Sequence, residues 1–180
     1  IQGLTEFIPV SSSAHLVIFQ SLLGINKDVV FLDIVLHLGT LCSLIIFFRT
    51  DLFVLFSNFL TALFDIIFRR RIFYVWRHDD SFRMCIYIGI TTIITGLIGL
   101  KFKIFFERQF ESINTVILGL FFTAIILFFT KDFNSGQRES KHILIKDSLL
   151  LGLTQALPII PGISRSGITV STLLFRNVDT

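Results

Sequence analysis

The chain has 180 residues, of which 53% are hydrophobic, 22 are Phe and only 16% are charged, and its mean hydropathy is +0.79. So little charge cannot cover a soluble globule of this size, which excludes a soluble enzyme, a disordered chain and a nucleic-acid module. The net charge of +3 is small, and the basic residues gather at the ends of apolar runs, where they act as topology signals rather than a footprint for a phosphate backbone. Composition therefore predicts an all-α integral membrane protein with residues 1–180 in a single transmembrane domain. Ile1 is neither a start methionine nor part of a leader, and Thr180 ends the sequence just after an apolar stretch opens, so an internal piece of a longer chain is expected.

A helix needs about 20 apolar residues to cross the hydrocarbon core. Val29 to Phe48, closed by Arg49, supplies the first such run; Met84 to Leu100, capped by Lys101 and Lys103, the second; Ile113 to Thr130, followed by Lys131, the third. A fourth run opens near Ile168 and is expected to be a span cut off by the chain end. Leu52 to Phe68 is apolar but interrupted by Ser57, Asn58 and Asp65 and followed by Arg69, Arg70 and Arg71. Because it is short and the arginines suit anionic headgroups, it is expected to lie in the interface. The loop 49–83 then carries Arg49, Arg69, Arg70, Arg71, Arg77 and Arg83 and reads as cytoplasmic. Alternation puts 101–112 outside and 131–147, with Lys131, Arg138, Lys141 and Lys146, inside. Cys42 and Cys85 sit in apolar runs and read as buried thiols, and His78 and His142 sit in polar loops without a signal.

Within this pattern one motif occurs twice. Gly3-Leu4-Thr5-Glu6-Phe7-Ile8-Pro9 returns as Gly152-Leu153-Thr154-Gln155-Ala156-Leu157-Pro158, and each copy runs into a serine-bearing stretch. All three prolines of the chain, Pro9, Pro158 and Pro161, fall in these segments. Proline breaks a helix, and in lipid a break survives only where protein or trapped water satisfies the freed backbone groups. Three spans separate the copies, an odd number, so the expectation is inverted-topology repeats with re-entrant broken helices, the first beginning near residue 1 and the second near 148, meeting at a polar interior.

Several residues there can carry chemistry. Glu6 lies four residues after Gln2 in an apolar context, on the same helix face, and an ionisable group at membrane depth is a functional candidate by default. Their two hard oxygens suit Mg²⁺ or Ca²⁺ completed by phosphate and water. Ser11, Ser12, Ser13 and His15 combine hydroxyls with an imidazole, the pairing that activates a nucleophile or protonates a leaving oxygen. Ser164, Arg165 and Ser166, at the start of an apolar run, bring a guanidinium and hydroxyls to a helix N-terminus, which attracts anions. Asp33 and His37, at i and i+4 in the first span, either pair with each other or line a cavity.

These two segments, Gln2 to His15 and Pro161 to Thr169, resemble the signatures of the undecaprenyl-diphosphate phosphatases, also described as bacitracin-resistance proteins, along most of the chain. The resemblance implies a multi-pass hydrolase of the bacterial inner (plasma) membrane. It would remove the terminal phosphate of a polyprenyl diphosphate lipid and so recycle the carrier for peptidoglycan synthesis. It implies that Gln2 and Glu6 hold a divalent metal, that Ser12 and His15 supply the nucleophile or acid/base beside Ser11 and Ser13, and that Ser164, Arg165, Ser166 and Thr169 hold the diphosphate. Many members have Glu where this chain has Gln2, and glycine is common where it has Ala14. Substrate and membrane lipids are the partners so implied, with no nucleic acid; a homodimer is left open. The competing reading is a lipid or solute transporter or scramblase, which the inverted repeats alone would equally suit.

Overall fold

The computed structural model describes residues 2–25, 29–110, 112–131, 133, 138–139 and 143–179; Lys141 and His142 lie outside them. Among the described residues the chain is all helix, with no strand and one isolated bridge between Arg138 and Val178. The long helices are α3 (Val29–Phe47), α4 (Arg49–Arg69), α6 (Asp80–Lys101) and α8 (Ile113–Thr130); shorter ones are α1 (Gln2–Thr5), α2 (Ser12–Leu22), α5 (Ile72–His78), α7 (Lys103–Phe110), α9 (Ile145–Thr154) and α10 (Arg165–Phe175). By length and composition α4, α6 and α8 can each cross a membrane. Their sides stay apolar where the protein does not cover them, as at Phe53, Leu97, Leu118 and Phe121, a surface that suits lipid and not water. The protein is an all-α membrane protein.

The segment 52–68 is not short, as the sequence suggested, but part of a 21-residue helix. Its relation to α3 limits what it can do. Phe48 N–H donates to Leu44 O at 2.9 Å and Leu52 N–H to Phe48 O at 2.9 Å, so the helical ladder runs on through the bend between α3 and α4. Residues 29–69 then rise about 60 Å, roughly twice the hydrocarbon core. The inner face of α4 packs on α5 and on the first two turns of α6: Ala62, Val75 and Phe82 form a small core with Phe59, Leu63 and Ile66 around it, and Phe59 stacks on Phe82 at 5.7 Å. This is the polar end of α6, where Asp79 caps the helix by accepting from Phe82 N at 2.9 Å and Asp80 pairs with Arg83.

Two pairs of helices set the direction of the C-terminal part. Thr91 Oγ1 donates to Ser148 O at 3.1 Å and Thr95 Oγ1 to Gly152 O at 3.0 Å, so α9 runs parallel to α6 and begins about two turns along it, near the level of Ile88. Val116 and Gly119 meet Gly162, Thr123 meets Ser164, and Thr130 meets Ser171, so α10 runs parallel to α8. The apolar run near Ile168 is not a span in progress. It belongs to an 11-residue helix that rises about 16 Å and stops at the left-handed Asn177 (φ 60°).

The base of this hairpin is clamped by Asp147, which is fully buried. Its carboxylate accepts from Arg176 Nε at 2.7 Å, from Arg138 Nη2 at 3.0 Å and from Leu144 N at 2.9 Å. Arg138 also donates to Arg176 O at 2.7 Å. The start of α9 and the end of α10 are thereby held side by side, and the chain between them enters and returns. Burial would push the Asp147 carboxyl up; the Leu144 N–H and the two guanidiniums outweigh it and hold the group below the usual carboxylate range.

Candidate active site

The two copies of the repeated motif fold alike. Each is a helix, a break at proline and a second helix: α1, Glu6 to Ser11, α2; then α9, a 3-10 turn at Leu157–Ile159, α10. The second helices match from cap to cap. Ser11 and Ser13 hydroxyls lie 3.2 Å apart, as do those of Ser164 and Ser166. At the other end Ile25 N–H donates to Gln20 O at 2.9 Å around Gly24 (φ 66°), and Val178 N–H to Leu173 O at 3.0 Å around Asn177 (φ 60°).

The tips differ. Val10 alone separates Pro9 from Ser11, whereas residues 159–163 separate Pro158 from Ser164. In the short tip Ser11 itself takes φ 61°, ψ 92°, and its side chain caps no helix N–H. A non-glycine residue held there stores strain of about 1–3 kcal/mol, a feature that clusters at functional sites. In the long tip Gly162 (φ 99°) makes the turn, so Ser164 relaxes to φ −77°, ψ 123° and accepts from Gly167 N at 3.1 Å.

The long tip is seated on α8. A Cβ at Gly119 would stand 2.6 Å from Pro161 O, and one at Gly162 would stand 2.3 Å from Val116 O. Thr123 Oγ1 donates to Gly162 O at 3.1 Å and accepts from Ser164 N at 3.0 Å. Backbone freed by the break is thus satisfied inside the protein, as lipid requires. The sequence reading missed Gly119 and Thr123. Their signal was a small residue and a hydroxyl at i and i+4 on one face of a charge-free helix, the kind of face that lets another backbone approach.

Between the tips lies a cavity of about 340 Å³. The first hairpin gives it Glu6, Ser11, Ser12 and Ser13, and the second gives Ser164, Arg165 and Ser166. The hairpins approach closely enough that a Cβ added at Gly167 would stand 3.5 Å from Pro9 Cβ. Arg165 is exposed, its guanidinium making no hydrogen bond or ion pair to any described residue, while Arg138 and Arg176 are both tied to Asp147. Gln2, only 4% exposed, donates from Nε2 to Glu6, and its Oε1 has no partner among the described atoms. Asp33 and His37 of α3 line the same cavity and do not pair through their side chains. Asp33 Oδ1 accepts from Gln20 Nε2 at 2.7 Å, and His37 Nδ1 donates to the Asp33 carbonyl at 2.8 Å.

Three of the expected residues, Gln2, His15 and Thr169, stand outside the lining. His15 lies one turn along α2 and turns Nδ1 back onto Ser11 O at 2.8 Å. Thr169 donates to Arg165 O at 2.9 Å and accepts from Gln155 Nε2. It faces a second cavity of about 250 Å³ between α6 and α9. Gln155 holds in the second copy the place of Glu6 in the first, and it supports the turn that carries Arg165 where Glu6 faces the cavity.

Residues 1–180 match the family of the bacitracin resistance protein BacA. The chain belongs to that family. Proteins named undecaprenyl-diphosphatase are among its relatives: that of Methanobrevibacter smithii is 40% identical over 185 residues, that of Alkaliphilus metalliredigens 39% over 181, and that of Halothermothrix orenii 38% over 179. Each alignment takes in 99% of this chain, which spans 62–64% of the length of these relatives.

Proposed function

We propose that the protein is a polyprenyl-diphosphate phosphatase of the plasma membrane, removing the terminal phosphate of undecaprenyl diphosphate or a lipid like it. The observation that carries this is one cavity holding an unpaired guanidinium, a hydroxyl run and a carboxylate, contributed by two broken helices. A transporter would need the broken helices. It would not need a nucleophile beside an anion-binding arginine.

Arg165, at the N-terminus of α10, takes the diphosphate by bidentate hydrogen bonds, with the Ser164 and Ser166 hydroxyls beside it. Ser12, first residue of α2, attacks the terminal phosphorus in line. Charge builds on the bridging oxygen as its bond to that phosphorus breaks, and Arg165 stabilises it. Gln2 Oε1, buried without a partner, and the Glu6 carboxylate are hard oxygens one helical turn apart, a donor pair that fits Mg²⁺ or Ca²⁺. Such an ion would supply further neutralisation of phosphate charge, with its remaining ligands from phosphate and water. In this reading His15 fixes the strained Ser11 turn through the Ser11 carbonyl.

The direction of the helices supports opposite entry of the two hairpins. Residues 29–69 taken as one crossing, with α6 and α8, put three spans between them; α2 ends beside the first turns of α3 through Gln20 and Asp33, while α10 ends at the level where α9 begins. The site then opens in the half of the bilayer where α3 starts. The experiment is phosphate release by purified full-length protein given undecaprenyl diphosphate, with and without chelator. Turnover lost on chelation and restored by Mg²⁺ or Ca²⁺ supports both the activity and the metal, and absence of turnover refutes the reading.

A further inference from the structure

The cavity holds an imidazole and a carboxylate that neither signature supplies. His37 and Asp33 come from α3, outside both repeats, and both line the space shared by Glu6, Ser12 and Arg165. His15, the imidazole the signature offers, is not part of that lining. A carbonyl only accepts, so the contact of His37 Nδ1 with Asp33 O fixes the proton on Nδ1 and leaves Nε2 as the lone-pair nitrogen. The stretch of α3 that carries it is tied to α2 by Gln20, a buried residue that donates to Asp33 Oδ1. The charged groups sharing the cavity with His37 are Glu6, Asp33 and Arg165. Of these Arg165 does not lose its proton, Glu6 is engaged with Gln2 and Asp33 with Gln20.

Resting on the phosphatase reading, we propose that His37 is the acid/base residue of the site. Nε2 takes the proton of the Ser12 hydroxyl as Oγ bonds to the terminal phosphorus. The bond from that phosphorus to the bridging oxygen breaks, its electron pair stays on the oxygen, and Nε2 returns the proton to it. In the second half water adds to the phosphoserine and gives a proton to Nε2. The Ser12 Oγ–P bond breaks, and Nε2 protonates Oγ, so one water is consumed and lipid monophosphate and phosphate are released. An imidazole suits both transfers because the same ring nitrogen can take up a proton and return it. Asp33 is a positioning residue here, holding the ring in one tautomer through its carbonyl and anchored by Gln20.

The test uses the purified full-length protein with undecaprenyl diphosphate. His37→Gln is expected to lower kcat by about 10²- to 10⁴-fold while KM moves little, and external imidazole is expected to restore part of the turnover of His37→Ala, which a packing role would not allow. A second measurement needs no turnover: inorganic pyrophosphate should shield His37 from diethyl pyrocarbonate, read by mass spectrometry, and Arg165→Ala should abolish the shielding. Wild-type protein that releases no phosphate refutes the phosphatase reading itself. An active wild type with His37→Gln equally active, or with His37 modified at the same rate whether pyrophosphate is present or not, overturns the assignment of His37 alone.

Discussion

The two hairpins are built on one plan and part company at their tips. In the first, a single residue between proline and serine forces Ser11 into a left-handed backbone that lacks a helix cap, and the turn is stocked with hydroxyls beside a carboxylate. In the second, the longer tip lets glycine take the turn, gives Ser164 a proper cap and rests on α8 through Gly119 and Thr123. One copy thus spends stability on presenting reactive groups; the other is braced to hold a cation in place. The same division shows at Glu6 and Gln155, which hold equivalent places, one facing the cavity and one holding the turn of Arg165 through Thr169.

The largest effect should come from the braced side. Arg165→Ala is expected to lower turnover by about 10²- to 10³-fold or more, because Arg165 is the cavity's arginine and Arg138 and Arg176 are committed to Asp147. Arg165→Lys should stay badly impaired, since a point charge does not reproduce the fork. Phosphate release with saturating substrate decides this. A Lys variant near wild-type rate would make Arg165 an electrostatic anchor and remove the contrast between the tips.

Next comes the brace itself. Gly119→Ala and Gly162→Ala place a methyl within 2.6 and 2.3 Å of backbone oxygen, and backbone cannot step aside as a side chain does. A loss of about 1–3 kcal/mol, or more at Gly162 where φ is also positive, is expected. Thermal unfolding in detergent measures it. Full stability in Gly119→Ala would mean that the long tip does not sit on α8.

How much of this was legible in the sequence follows from the range of the interactions. The spans over Met84 to Leu100 and Ile113 to Thr130, the two helix breaks and the helix start at Arg165 rest on local patterns, and those are where the structure has them. The length of α4 misled because Ser57, Asn58 and Asp65 were read as breaks, yet all three are tolerated on a helix whose polar neighbours sit at the start of α6. The fate of the run near Ile168 depended on Arg176 reaching back to Asp147, a contact between residues far apart in the sequence. So did the choice between pairing and cavity lining for Asp33 and His37, which Gln20 and the second hairpin settle. Periodicity carries no trace of such partners.

The clamp at the base of the second hairpin has a pH signature of its own. Its carboxyl lies below the usual range when folded, so the stabilisation is fully present above the unfolded value near 3.9. It is lost as pH falls from there through the lowered folded value. Asp147→Asn should cost about 1.5–3 kcal/mol at neutral pH, the range for hydrogen bonds to a charged group. Below about pH 3 the difference from wild type should shrink. A gap between the two proteins that is the same at acid and neutral pH would show that the charge of Asp147 contributes nothing.

The smallest effect tests the strain. At Ser11 glycine removes the penalty of a left-handed backbone, about 1 kcal/mol or somewhat more, against a gain in unfolded-chain entropy of roughly 0.5–1 kcal/mol. Among the described residues, the side-chain bond forfeited is the one to Ser13. At Ser164 the backbone is already relaxed, and glycine forfeits the cap on Gly167. Ser11→Gly is therefore expected to unfold at a temperature equal to or slightly above wild type, and Ser164→Gly below it, although both remove a cavity hydroxyl and both should slow turnover. Equal losses of stability at the two serines would mean that Ser11 carries no strain and that the short tip is as relaxed as the long one.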